Sequence, residues 1–64
     1  MLHVNDEMMY FWTKGGKLYL RDGATCIMRE TKKHGTITHK CFETYEEARA
    51  EMILLDDLNF QWGQ

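Results

Sequence analysis

Two glycine-containing dipeptides, Gly15-Gly16 and Asp22-Gly23, constrain this chain more than anything else in it. Both lie inside Met8–Met28, MMYFWTKGGKLYLRDGATCIM, where they punctuate runs rich in aromatic and aliphatic residues. Gly-Gly and Asp-Gly are pairs that two-residue hairpin turns select, because both central residues of such a turn take positive φ. The spacing predicts three antiparallel strands, over residues 8–13, 17–21 and 24–30. Two-residue turns also set a register, and a register assigns every side chain to a face.

With turns of that length, Lys14 stands opposite Lys17 and Arg21 opposite Ala24. Trp12 then faces Tyr19, Phe11 faces Leu20, Tyr10 faces Arg21, Leu18 faces Ile27, and Tyr19 neighbours Cys26. Side chains alternate along a strand with period two. One face therefore carries Met9, Phe11, Leu18, Leu20 and Ile27, with Thr13 and Thr25. The other carries Met8, Tyr10, Trp12, Lys17, Tyr19, Arg21, Cys26 and Met28. The first is a core face. The second is aromatic and basic together, which a plain solvent face seldom is.

Downstream, Thr31-Lys32-Lys33-His34-Gly35 reads as a longer loop, and Thr36–Phe42 as a fourth strand whose register a five-residue loop does not fix. Thr44-Tyr45-Glu46-Glu47 matches a capping box, with Thr44 as N-cap and Glu47 reaching back, and acids in the first turn suit the helix dipole. Tyr45, Ala48, Met52 and Leu55 then share one helical stripe that can close over the core face, while Ile53 and Leu54 fall off it. Phe60 and Trp62 are expected to fold back on the core. The sequence of 64 residues, 44% hydrophobic and without proline, is read as one domain: residues 1–7 frayed or a short edge, 8–42 sheet, 44–58 helix, 59–64 tail. The fold class is α+β, a four-stranded antiparallel β-meander packed on one face by a single C-terminal α-helix.

The net charge of −2 conceals a strong asymmetry. From Lys14 to Lys40 there are seven Lys or Arg against Asp22 and Glu30; from Cys41 onward there are six acids against Arg49. A basic sheet beside an acidic helix suggests a polyanion-facing side, or two halves that attract each other within the fold. No apolar run reaches the ~20 residues that span a bilayer, and the N-terminus lacks a signal-peptide pattern, so a cytoplasmic protein without membrane contact is expected. Cys26 and Cys41 are expected as free thiols of a reducing compartment. With His39 they form the nearest approach to a metal or nucleophile cluster, but zinc spacing of the CxxC kind is absent, and no metal or cofactor is expected. No phosphate loop, nucleophile elbow or HExxH helix is present, so the chain is read as a non-enzyme.

The candidate binding face is Tyr10, Trp12, Lys14, Lys17, Tyr19, Arg21 and Met28, with Arg29, Lys32, Lys33 and His34 as a secondary basic loop. Lys and Arg neutralise phosphates while aromatics stack on bases or sugars, so nucleic acid is the first ligand class, DNA before RNA. The same residue types populate protein hot spots, which makes a protein partner the second reading and self-association through this face a third. A plain structural role, aromatic cross-strand pairs holding a thin sheet together, competes with all three.

The segment His39-Lys40-Cys41-Phe42-Glu43-Thr44-Tyr45-Glu46-Glu47-Ala48, a basic strand ending in phenylalanine, a short turn and an EEA-type helix, resembles the AP2-like and integrase arm-type DNA-binding domains. The resemblance spans Tyr10 to Leu55. It implies a three-stranded sheet backed by one helix and laid into the DNA major groove, with Tyr10, Trp12, Lys17, Tyr19 and Arg21 as the reading face. In size and style the chain is also similar to the small proteins phages use to inhibit host enzymes or defence complexes. That likeness implies a protein target, met by the aromatic face or by an acidic helix carrying Glu46, Glu47, Glu51, Asp56 and Asp57.

Overall fold

The computed structural model describes residues 1–61. Five strands, β1 (His3–Val4), β2 (Met8–Thr13), β3 (Gly16–Arg21), β4 (Cys26–Thr31) and β5 (Gly35–Cys41), are followed by one helix, α1 (Tyr45–Asp57). The strands form a single antiparallel sheet in the order β1-β2-β3-β4-β5, so the class is α+β with five strands where four were expected. The extra strand comes from residues 1–7. Asn5 accepts hydrogen bonds on its side-chain oxygen from the N–H groups of Glu7 and Met8, and its own N–H donates to the Met8 carbonyl. This Asx-type turn folds His3 and Val4 back onto Tyr10 and Met9.

Both glycine turns form, but neither sets the expected register. In the first hairpin Thr13 pairs with Gly16, so the turn centres on Lys14-Gly15. Thr13 holds it there: its hydroxyl donates to the Gly16 carbonyl at 2.9 Å and accepts the Gly15 N–H at 3.2 Å. Positive φ falls on Gly16, +138°, and is needed for a different reason. A Cβ there would collide with the backbone carbonyl of Glu30 on β4, so Gly16 permits two strands to close rather than one to turn. In the second hairpin the Asp22-Gly23 turn closes through the Ala24 N–H to the Arg21 carbonyl at 3.0 Å, with φ +76° at Gly23. The strand resumes only at Cys26, leaving Ala24 and Thr25 outside the ladder.

Each change moves the pairing by two residues, and two residues is one full period of a strand. Every partner differs, yet no face does. Phe11 now opposes Leu18 and Met9 opposes Leu20; Tyr19 stands between Tyr10 and Met28, and Lys17 between Trp12 and Glu30. The core is the expected one: Met9, Phe11, Leu18, Leu20 and Ile27 from the sheet against Ala48, Met52 and Leu55 from α1. Burying a large aliphatic side chain of this kind stabilises by about 1.5–3 kcal/mol.

Helix α1 starts as its capping box predicts. Thr44, with extended backbone, accepts the Glu47 N–H at 3.2 Å, and its hydroxyl meets the Glu47 carboxylate at 3.1 Å. Its end is less ordinary. Asn59 takes positive φ, +53°; its N–H donates to the Asp56 carbonyl and the Phe60 N–H to the Leu55 carbonyl, both at 3.0 Å. This is a Schellman closure with asparagine in the left-handed position, and it turns Phe60 back onto the core beside Leu55, as expected for Phe60. The matching expectation for Trp62 lies outside the described residues.

The cysteines correct the reading of free thiols. Cys26 and Cys41 are directly opposite on β4 and β5 and are joined by a disulfide. Paired positions in neighbouring antiparallel strands bring Cβ atoms within about 4.5–5.5 Å, which a five-residue loop of uncertain register did not reveal beforehand. The inference of a reducing compartment, which rested on those thiols, loses that support. Between the bridge and the loop, β4 and β5 change register at Ile27/Met28: Ile27 pairs with Lys40 and Met28 with Thr38, so His39 is the extra residue of a bulge. Among the described residues, no helix is long and apolar enough to cross a membrane.

Two stability predictions follow from this geometry. Gly16→Ala is expected to cost about 3 kcal/mol, since it combines a backbone collision with a strained φ, whereas Gly23→Ala, with open space around it, should cost about 1 kcal/mol. Urea unfolding of both variants checks the ranking, and equal costs would contradict it. Reducing the Cys26–Cys41 bridge, which spans a sequence separation of 15, should lower stability by about 3 kcal/mol, read as a fall in unfolding midpoint with added reductant.

Candidate functional site

Strand alternation puts Tyr10 and Trp12 of β2, Lys17, Tyr19 and Arg21 of β3, and Met28 and Glu30 of β4 on the face away from α1. The structure brings these residues together, all but Glu30 expected on this face, and it orders them around Lys17. The Lys17 ammonium lies 5.3 Å from the Tyr10 ring centroid, 5.4 Å from Tyr19 and 6.0 Å from Trp12, and 3.8 Å from the Glu30 carboxylate. Arg21 stacks over Tyr19 at 5.8 Å. On the β1 side His3 stacks on Tyr10 with centroids 5.1 Å apart.

This arrangement changes what the face can do. Tyr19 is 7% exposed although no helix covers it, because Tyr10, Met28, Lys17 and Arg21 surround it. The Lys17 side chain is 19% exposed. Cation–π contacts are worth ~0.5–1 kcal/mol at exposed sites and more when water is excluded. Lys17 is therefore the hub of a small second core, and the freely presented groups are Trp12, 62% exposed, and the exposed Arg21.

The other basic residues are organised by topology. In an antiparallel meander the β2–β3 and β4–β5 connections emerge at the same end of the sheet. Lys14 and the run Lys32-Lys33-His34 are thus neighbours, although the sequence separates them. Both loops close by the same device: Thr31, like Thr13, donates its hydroxyl to the carbonyl of the glycine across the turn, Gly35, and accepts an N–H from within the turn, that of His34. The Lys14 N–H is fixed by the Gln61 side chain at 2.9 Å. Between the loops runs an open groove of about 860 Å³ lined by Trp12, Lys14, Lys32, Lys33, His34 and Ile37 among others. Gly16, where an added Cβ would meet the Glu30 carbonyl, also lines it. Sequence reasoning missed Ile37 and Glu30 as neighbours of the site; strand order alone signals the meeting of the two loops.

Arg29, expected with the secondary basic loop, lies within β4 opposite Leu18; alternation from Ile27 puts it on the helix side, and it lines the same groove as Lys32, Lys33 and His34. There its Nε–H donates to His39 Nδ1 at 3.0 Å, and His39 meets the edge of Phe60 at 5.4 Å. Burial, and then the charges of Arg29 and Lys40, hold the His39 pKa below the ordinary imidazole value of 6.5, with Glu51 pulling the other way. His39 is therefore neutral at pH 7 and presents a lone pair to Arg29. It does not join the cysteines in a cluster. Among the described residues, no three His, Cys, Asp or Glu side chains gather as a metal site.

Comparison with known proteins finds no matching family model, no matching curated protein and no matching solved structure. The likeness to AP2-like and integrase arm-type domains rests on the strand–turn–helix motif alone.

The His39–Arg29 contact makes stability depend on pH in one direction. A folded-state imidazole pKa below its unfolded value contributes stability that is present above about 6.5 and lost as pH falls below it. His39→Gln should flatten the fall in unfolding midpoint between pH 7 and pH 5, on the scale of the imidazole titration range. An unchanged pH profile would show that the contact contributes nothing.

Proposed function

We propose that the protein is a non-enzymatic binding module that takes nucleic acid, DNA before RNA, at the loop end of its open sheet face. One observation carries the reading: an exposed indole and the lysines of two loops line the same groove. Cations that neutralise phosphate and a ring that accepts a base or sugar are the two components such a site requires. Charge separation supports the same orientation. The acids Glu46, Glu47, Glu51, Asp56 and Asp57 belong to α1, on the opposite side of the sheet, so a polyanion approaching the open face meets the basic side. A cytoplasmic site of action belongs to this proposal, and there the Cys26–Cys41 bridge would be subject to reduction.

A second reading has its own observation. Leu54 on α1 and Leu58 at its C-cap, four residues apart, are 50% and 67% exposed, beside acidic neighbours. Exposed apolar residues within an acidic surface suit a basic protein partner, as an inhibitor of a host enzyme would require. The two readings use opposite sides of the molecule.

Gel shifts at about 50 and 200 mM salt test the first reading. Affinity should fall steeply with salt, and Lys14→Ala, Lys32→Ala and Lys33→Ala should each reduce the slope by about 1. Lys17→Ala should leave the slope unchanged and lower stability instead, because that ammonium is committed to three rings and Glu30. Binding indifferent to salt, or loss of binding on Leu54→Asp with the lysine variants silent, would overturn it in favour of the helix side.

A further inference from the structure

Resting on the nucleic-acid reading, we infer that the ligand is single-stranded and that an unpaired base stacks on Trp12 while its flanking phosphates meet Lys14, Lys32 and Lys33. What decides between strand and duplex is where exposed groups remain on the face. Reading a duplex through its major groove requires long donors projecting from the middle of the sheet toward base edges. The cation at the middle is Lys17, its side chain 19% exposed and its ammonium held within 3.8 Å of Glu30 and about 5–6 Å of three ring centroids. Tyr19, beside it, is almost wholly covered. The centre of the face is therefore occupied by its own contacts.

At the loop end the balance reverses. Trp12 presents an indole that is 62% exposed, and Lys14, Lys32 and Lys33 are exposed around the same groove. In a duplex each base face is covered by its neighbours in the stack, so an aromatic ring flanked by cations finds its partner in an unpaired strand. The Glu30 carboxylate, which also lines the groove, is engaged by Lys17 and so repels a phosphate less than a free acid would. The groove is short, bounded by two loops of one sheet end, and suits a footprint on the order of four nucleotides.

The test uses the full chain with Trp62→Phe, which leaves Trp12 as the sole tryptophan. Its fluorescence is titrated with an oligothymidylate, an oligouridylate and a blunt duplex of matched length, each at low salt. Thymidylate should quench Trp12 and bind at least about tenfold more tightly than the duplex. Read by the fluorescence anisotropy of a dye-labelled thymidylate, Trp12→Ala should weaken binding by about ten- to a hundred-fold, and Trp12→Phe, which keeps a ring, should restore most of that loss. Tighter uridylate binding with the same Trp12 dependence supports the stacking site and places RNA ahead of DNA. Duplex binding as tight as single-strand binding, or no loss on Trp12→Ala, overturns the inference while leaving the nucleic-acid reading standing. Binding of none of the three overturns both.

Discussion

The absence of a Cβ at Gly16, where one would collide with the Glu30 carbonyl, is the constraint on which the pairing of β3 with β4 depends. With any side chain at position 16, β3 and β4 could not close at that point. With glycine there, Lys17 meets Glu30, Leu18 meets Arg29 and Tyr19 meets Met28. Those pairings set Lys17 beside Glu30 on the aromatic face, while on the helix side Arg29 donates to His39, which in turn meets the edge of Phe60. The same point anchors the first hairpin, because Gly16 is also the partner of Thr13. One position without a Cβ thus couples two hairpins, and the cross-strand neighbours on both faces of the sheet follow from it.

The helix and the edge strand are tied in at the other end. The Cys26–Cys41 bridge joins the start of β4 to the end of β5, and the Phe42 N–H continues the pairing by donating to the Thr25 carbonyl at 2.8 Å. The chain then enters α1 through Thr44 within three residues of the bridge. The bulge at His39 allows both ends to be satisfied: the bridge requires one register and the Thr31–Gly35 loop another, and the extra residue absorbs the difference. The displaced imidazole is the one that receives Arg29.

How much of this was legible in the sequence depended on parity. Face assignment needs only to know whether a residue is odd or even along its strand, so Met9, Phe11, Leu18, Leu20 and Ile27 were recognisable as core although every predicted partner differed. The capping box at Thr44 was readable because it is local. Features that needed a partner were not: the disulfide, the bulge and the contact of Arg29 with His39 depend on how β4 meets β5. The hydrogen bonds of Asn5 and the left-handed Asn59 had only asparagines as signals, and those residues serve many turns. For the candidate site, the face itself was visible and the meander order already implied that the two basic loops share one end, whereas the closure of the face's centre around Lys17 emerges only in three dimensions.

The enclosure of Lys17 has a consequence for motion. Its four-carbon stem would sample many rotamers in solvent, and ordering such a side chain on binding costs about 0.5–1.5 kcal/mol. Here Tyr10, Trp12, Tyr19 and Glu30 restrict those rotamers before any ligand arrives. The face therefore behaves as a stiff plate with a supple rim: entropy was surrendered at folding in the middle and is retained in the loop lysines. Partners that fit the plate encounter a surface already in its bound shape, and adaptation to different partners is left to the rim.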